Sequence, residues 1–101
     1  MMDATSVFKF AGEPVIQTSR YQNGSLRVNV WDDEGPVSTL SVNVDAKIDP
    51  NHQFVLNHDV PLCLLNWMQQ SGRFVVDFDR LVGYGYVEGQ PVVTMREANN
   101  G

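Results

Sequence analysis

The four residues Trp31-Asp32-Asp33-Glu34 put the densest charge in the chain beside a tryptophan. Three adjacent carboxylates repel one another and stay hydrated, which places them at an exposed turn. A tryptophan beside them has the composition of an interface anchor, the ring supplying contact area and the charges steering encounter. A second group is Asp77, Asp79, Tyr84 and Tyr86. Asp77 and Asp79 sit two apart, so on a regular strand they share a face. Held close and dry they would pair as acid and base; on a solvent face they are solvated charges. Gly83-Tyr84-Gly85-Tyr86-Val87 matches the middle of the RNA-recognition signature, whose strand aromatics stack on bases. Its flanks do not fit: Val82 stands where a basic residue belongs, and Gly89 where an aromatic belongs. A terminal hairpin also follows where that domain places a helix.

Nucleophilic and metal chemistry have less to work with. Cys63 lies in a leucine-rich stretch with His58 as the nearest base, and a cysteine so placed is usually buried and inert. His52, His58, Asp49 and Asp59 lack the tight ligand pairs of zinc sites, and no calcium-loop pattern is present. No nucleophile elbow or phosphate loop occurs. The residues therefore imply a non-enzymatic protein with no cofactor and no metal.

The net charge of −5, from seven basic and twelve acidic residues, favours solubility. It opposes direct attraction to phosphate backbones and anionic membranes, and suits a protein partner with a basic surface. No apolar run approaches the roughly 20 residues of a membrane span. The lone cysteine cannot close an internal disulfide, and the first residues lack the basic-then-apolar pattern of a secretory signal. The expected location is cytoplasmic.

These residues need a scaffold, and 101 residues suit one domain over 1–101, with loose termini at 1–6 and 97–101. The alternation of Leu26, Val28 and Val30 with Arg27, Asn29 and Trp31 predicts a half-buried strand. Leu40, Val42 and Val44 alternate with Thr39, Ser41 and Asn43 in the same way, predicting a hairpin with Asp32-Asp33-Glu34-Gly35 at its tip. Asn23-Gly24 supplies a tight turn before it. Residues 7–10, 15–21 and 53–56 read as further short strands. Residues 60–71 form the single convincing helix, with Leu64, Leu65 and Met68 as core stripe, Asp59 near its cap and Gly72 as its stop. Phe74, Val76 and Phe78 predict another strand face. Glu88-Gly89-Gln90 is the expected last turn, and Pro91 belongs at a strand end or sheet edge. The expected fold is α+β, a mostly antiparallel sheet of about five to seven short strands with one helix on one face.

Tyr21, Asn23-Gly24, residues 26–31, Asp33-Glu34-Gly35, Thr39-Leu40-Ser41-Val42-Asn43, Arg80, Gly85-Tyr86 and Pro91-Val92 together resemble a family of small uncharacterised bacterial proteins. That family is a domain of unknown function carried by plasmids, conjugative elements and phages. The resemblance spans roughly residues 21–95 and departs in the aromatic-rich stretch 73–79. It implies no catalytic residues. It does imply a setting, that of mobile-element accessory proteins, where compact acidic inhibitors of host defence such as anti-CRISPR proteins occur. The expectation is a protein-binding module that covers a basic surface of a nucleic-acid-handling complex. Its contact residues are Trp31, Asp32, Asp33 and Glu34, with Asp77, Asp79, Tyr84 and Tyr86 as a second patch. The alternative is a small single-stranded RNA or DNA binder using Tyr84 and Tyr86.

Overall fold

The computed structural model describes residues 9–96. The expected loose termini, and Val7 and Phe8 of the expected first strand, lie outside the described residues. Lys9 and Phe10 are not in a strand. The elements are β1 (Val15–Arg20), β2 (Leu26–Asp32), β3 (Gly35–Thr39), β4 (Gln53–Val55), α1 (Leu62–Gln70), β5 (Phe74–Tyr84) and β6 (Val87–Met95). The fold is α+β, with one helix and all described strand pairs antiparallel.

The strands do not form the one sheet expected. They divide into two three-stranded sheets, ordered β1-β2-β3 and β4-β6-β5. The division falls within the expected second strand of the hairpin. Pairing with β2 begins at Gly35 and runs to Thr39, earlier than the 39–44 alternation implies. The two-residue loop Asp33-Glu34 joins the strands, with Asp32 opposite Gly35 at φ +120°. After Thr39 the chain changes sheets. Leu40 still donates its N–H to the Val28 carbonyl, but Ser41 bridges to Leu56 and the Val42 N–H reaches the Val55 carbonyl. The buried Ser41 Oγ accepts the Val28 N–H at 2.9 Å. A side chain thus satisfies a backbone donor at the point where the neighbouring strand turns away, which a buried N–H requires.

The core lies between the sheets. Leu26, Val28 and Val30 from β2, with Leu40, meet Phe54, Leu56, Phe74 and Val93 from the other side. The alternation in β2 is fully used, because its outward residues Arg27, Asn29 and Trp31 are exposed or half-buried. Leu64 and Met68 bury the helix stripe in this core, with Leu65 partly buried against it. Trp67 packs against Phe10 and Phe74, with ring centroids 4.9 and 6.2 Å away. The helix is capped by Pro61, whose carbonyl accepts the N–H groups of Leu64 and Leu65; Asp59 makes no cap. Asn57 takes up the Asp59 N–H through Oδ1, forming a turn before the helix. Gly72 at φ +77° follows the last helical turn, the left-handed stop expected there.

The β5–β6 hairpin carries the other corrections. Its turn is Gly85-Tyr86, not Glu88-Gly89-Gln90, since Tyr84 pairs with Val87. Gly85 at φ +57° occupies the first central position, where the type II′ hairpin turn needs a positive φ. Pro91 is neither at an end nor at an edge. It lies inside β6, the middle strand of its sheet. Its carbonyl accepts the Leu56 N–H, so the N–H it lacks would also face β4, just beyond the last β4 pair Val55–Val92; toward β5 the register jumps from Asp77–Val92 to Leu81–Pro91. The intervening Phe78, Asp79 and Arg80 bulge out of the ladder. Phe78 therefore leaves the face of Phe74 and Val76 and becomes exposed.

Candidate functional site

At the β2–β3 tip the three acids have different fates. Asp32 is half-buried and spends both carboxylate oxygens on backbone: Oδ2 accepts the Ala11 N–H at 2.8 Å and Oδ1 the Glu34 N–H at 2.9 Å. Asp33 donates its own N–H to the Ala11 carbonyl, and its carboxylate lies against Gly12, where an added Cβ would come within 2.1 Å of Oδ2. Glu34 is exposed. The tip is thus laced to residues 11–12, and two of its acids are partly occupied in holding that loop. Trp31 is 37% exposed, on the outer face of the first sheet opposite Pro36. It borders a shallow groove of about 210 Å³ with Arg27, Asn29 and residues 36–39.

The second patch is on the distal β5–β6 hairpin. Asp77 and Asp79 do not form the regular pair on one strand face that their spacing implied. Asp77 Oδ1 accepts the Asp79 N–H at 3.0 Å inside the bulge, so Asp77 helps to shape it. Tyr84 is half-buried. Its hydroxyl accepts the His58 N–H at 2.9 Å and lies 3.2 Å from His58 Nδ1, while His58 Nε2 lies 3.2 Å from Asp59 Oδ1. This Asp59–His58–Tyr84 chain ties the hairpin to the loop before α1 and sits on an exposed surface, not in a cleft. Tyr86, at the turn, is fully open to solvent with a relative exposure of 107%. The two tyrosines are thus separated: one serves as a clasp, the other as the hairpin's tip.

Sequence reasoning missed two features. The bulge exposes Phe78 (55%) and Leu81 (58%) on the same hairpin that carries Asp77, Asp79 and Tyr86. No local signal announced the bulge, since the donor that Pro91 lacks lies on the β4 side of its strand. The other feature is a cleft of about 640 Å³ between β1 and the far end of the second sheet, with Arg20, Arg73 and Arg96 in its lining. No local motif announces it, because the three arginines come from distant stretches of chain.

Cys63 is half-buried on α1. Among the described residues no group of three or more His, Cys, Asp or Glu gathers to hold a metal ion; Asp49 pairs with His52 and Asp59 with His58. No helix of the described residues is long and apolar enough to cross a membrane. Compared with protein-family models, with curated proteins and with solved structures, the chain finds no match.

Proposed function

We propose that the protein is a non-enzymatic protein-binding module whose contact surface is the distal β5–β6 hairpin, with the acidic β2–β3 tip and Trp31 as a separate contact. The observation that carries this reading is the exposure of Phe78, Leu81 and Tyr86 on one hairpin among Asp77, Asp79 and Glu88. Large apolar side chains left in water at such a position are favourable to cover. Aromatic anchors with a charged surround combine affinity with steering toward a basic surface. The net charge of −5 supports the same partner chemistry.

The finer reading is that this basic surface belongs to a nucleic-acid-handling complex, such as a CRISPR effector, and that binding blocks nucleic-acid access. It rests on the resemblance of residues 21–95 to the mobile-element family. The test is a cleavage assay with purified effector complexes and labelled DNA, read with wild type and with the Phe78→Ser/Tyr86→Ser variant. Inhibition by wild type is expected, weakened at least about 30-fold in the variant, as loss of a hot spot of about 2 kcal/mol implies. Equal inhibition by both proteins would remove the hairpin from the interface. No inhibition by wild type across the effector classes would remove the anti-defence role.

A second reading, single-stranded RNA or DNA binding, is favoured by one observation, the fully exposed ring of Tyr86. Filter binding at low salt distinguishes it: retention lost in Tyr86→Ser supports stacking, and no retention removes it.

A further inference from the structure

Arg20, Arg73 and Arg96 make three of the chain's seven lysine and arginine residues, and all three line the 640 Å³ cleft. No described aspartate or glutamate lines it. In a chain with twelve acidic residues, the cleft has the opposite charge to the molecule around it. Low-dielectric walls focus such a field, so an anion near this cleft meets attraction that the rest of the surface denies it.

The walls are also suited to a ligand. Neighbouring β1 residues from both faces, Ser19 and Arg20 among them, border the cleft, so it runs along the strand's edge. On that side β1 has no strand neighbour among the described residues. Strand-edge N–H groups are then available as donors. Ile16, Leu26 and Met95 supply apolar surface. Arg20 is pre-positioned: its guanidinium donates to the carbonyls of Gly24 and Pro50, and to Asn51 Oδ1 at 2.8 Å. All three acceptors are neutral, so they orient the fork without forming an ion pair; the Asp49 carboxylate of the same turn lies close enough to interact with Arg20 electrostatically. The nearest carboxylate of that turn, Asp49, accepts the Asn51 N–H at 3.0 Å and lies 3.0 Å from His52 Nδ1. Arg73 and Arg96 are exposed at the other wall, joined by the backbone bond from the Arg96 N–H to the Arg73 carbonyl.

We propose that this cleft binds a small organic anion, an apolar body ending in a phosphate or carboxylate group. Guanidinium forks recognise both groups bidentately, and the cleft's volume falls within the range of small-molecule sites, about 300–1,000 Å³. This site is separate from the β5–β6 hairpin surface, so either can fail without the other.

The test uses the full chain and three matched probes, 1-naphthyl phosphate, 1-naphthoate and neutral 1-naphthol, followed by amide chemical shifts in NMR titrations. At least one anion should saturate with a submillimolar Kd, moving the amides of Ile16, Thr18, Arg73 and Arg96. Naphthol should bind at least about tenfold more weakly, and added salt should weaken only the anions. Whichever anion binds more tightly identifies the head group. Arg73→Gln/Arg96→Gln should weaken anion binding at least about tenfold. Ser19→Glu, a change at an exposed position bordering the cleft, should do the same and serves if the double variant misfolds. Equal binding of naphthol, unchanged binding in either folded variant, shifts confined to other surfaces, or no saturation by about 5 mM would each overturn the proposal.

Discussion

Single side chains in this protein stand in for backbone where the fold changes direction. Ser41 supplies the acceptor that β3 no longer offers to Val28, and Asp32 holds two N–H groups around the first hairpin tip. Asp49 organises the turn before β4. Its pKa is lowered from the ordinary 3.8, first by the hydrogen bond with His52 and then by the Asn51 N–H. A carboxylate held below its unfolded value contributes stability that is present above that value and lost as pH falls through the folded pKa. The Asp49 carboxyl should therefore titrate below 3.8 when followed by NMR. Asp49→Asn should flatten the acid limb of the stability profile. A titration midpoint at or above 3.8 would show that the turn does not hold the charge.

At the scale of elements, the β5–β6 hairpin divides at its bulge. The proximal part, from Phe74 to Asp77 against Val92 to Met95, includes the buried Phe74, Val92 and Val93. Beyond the bulge no residue from 78 to 90 is buried, and Tyr84 ties this arm back through His58. Local opening free energy follows buried contacts, so the two parts should exchange amide protons differently. Hydrogen exchange at 81–90 should be at least about tenfold faster than at 75–77 and 92–94. Uniform protection along the hairpin would mean that the arm is held by more than its own ladder. Pro91 was legible as a residue that a regular central strand does not readily accept. Its position within β6 was not, because Glu88-Gly89-Gln90 competes locally with Gly85-Tyr86 as the turn. Only the Tyr84–Val87 pairing settles the choice.

At the scale of the molecule, the two sheets share one apolar core, and Phe54 lies in it with 1% exposure. It packs edge-on to Phe74, ring centroids 6.3 Å apart, in the same cluster as Val28 and Val30 of the first sheet. Phe54→Ala should cost about 3–5 kcal/mol, and far-UV and near-UV signals should still melt together. Separate transitions would mean that each sheet keeps its structure without the other.

By itself the sequence determined the class and much of the local structure. Alternation in residues 26–31 set which side of β2 is buried, the 3.6-residue stripe set the helix and its inward residues, and Gly72 set its end. These are consequences of backbone period and local sterics, which act within a few residues. Tertiary structure alone decided the rest. Residues 40–42 alternate as a strand would, yet they pass between sheets because Leu56 and Val55 offer partners there. Asp33 looks like a bare charge in the sequence and is packed against Gly12. Arg20, Arg73 and Arg96 acquire a common field only when β1 and the end of β6 come to face one cleft. Pairing, packing and electrostatics depend on distances that no local spacing encodes.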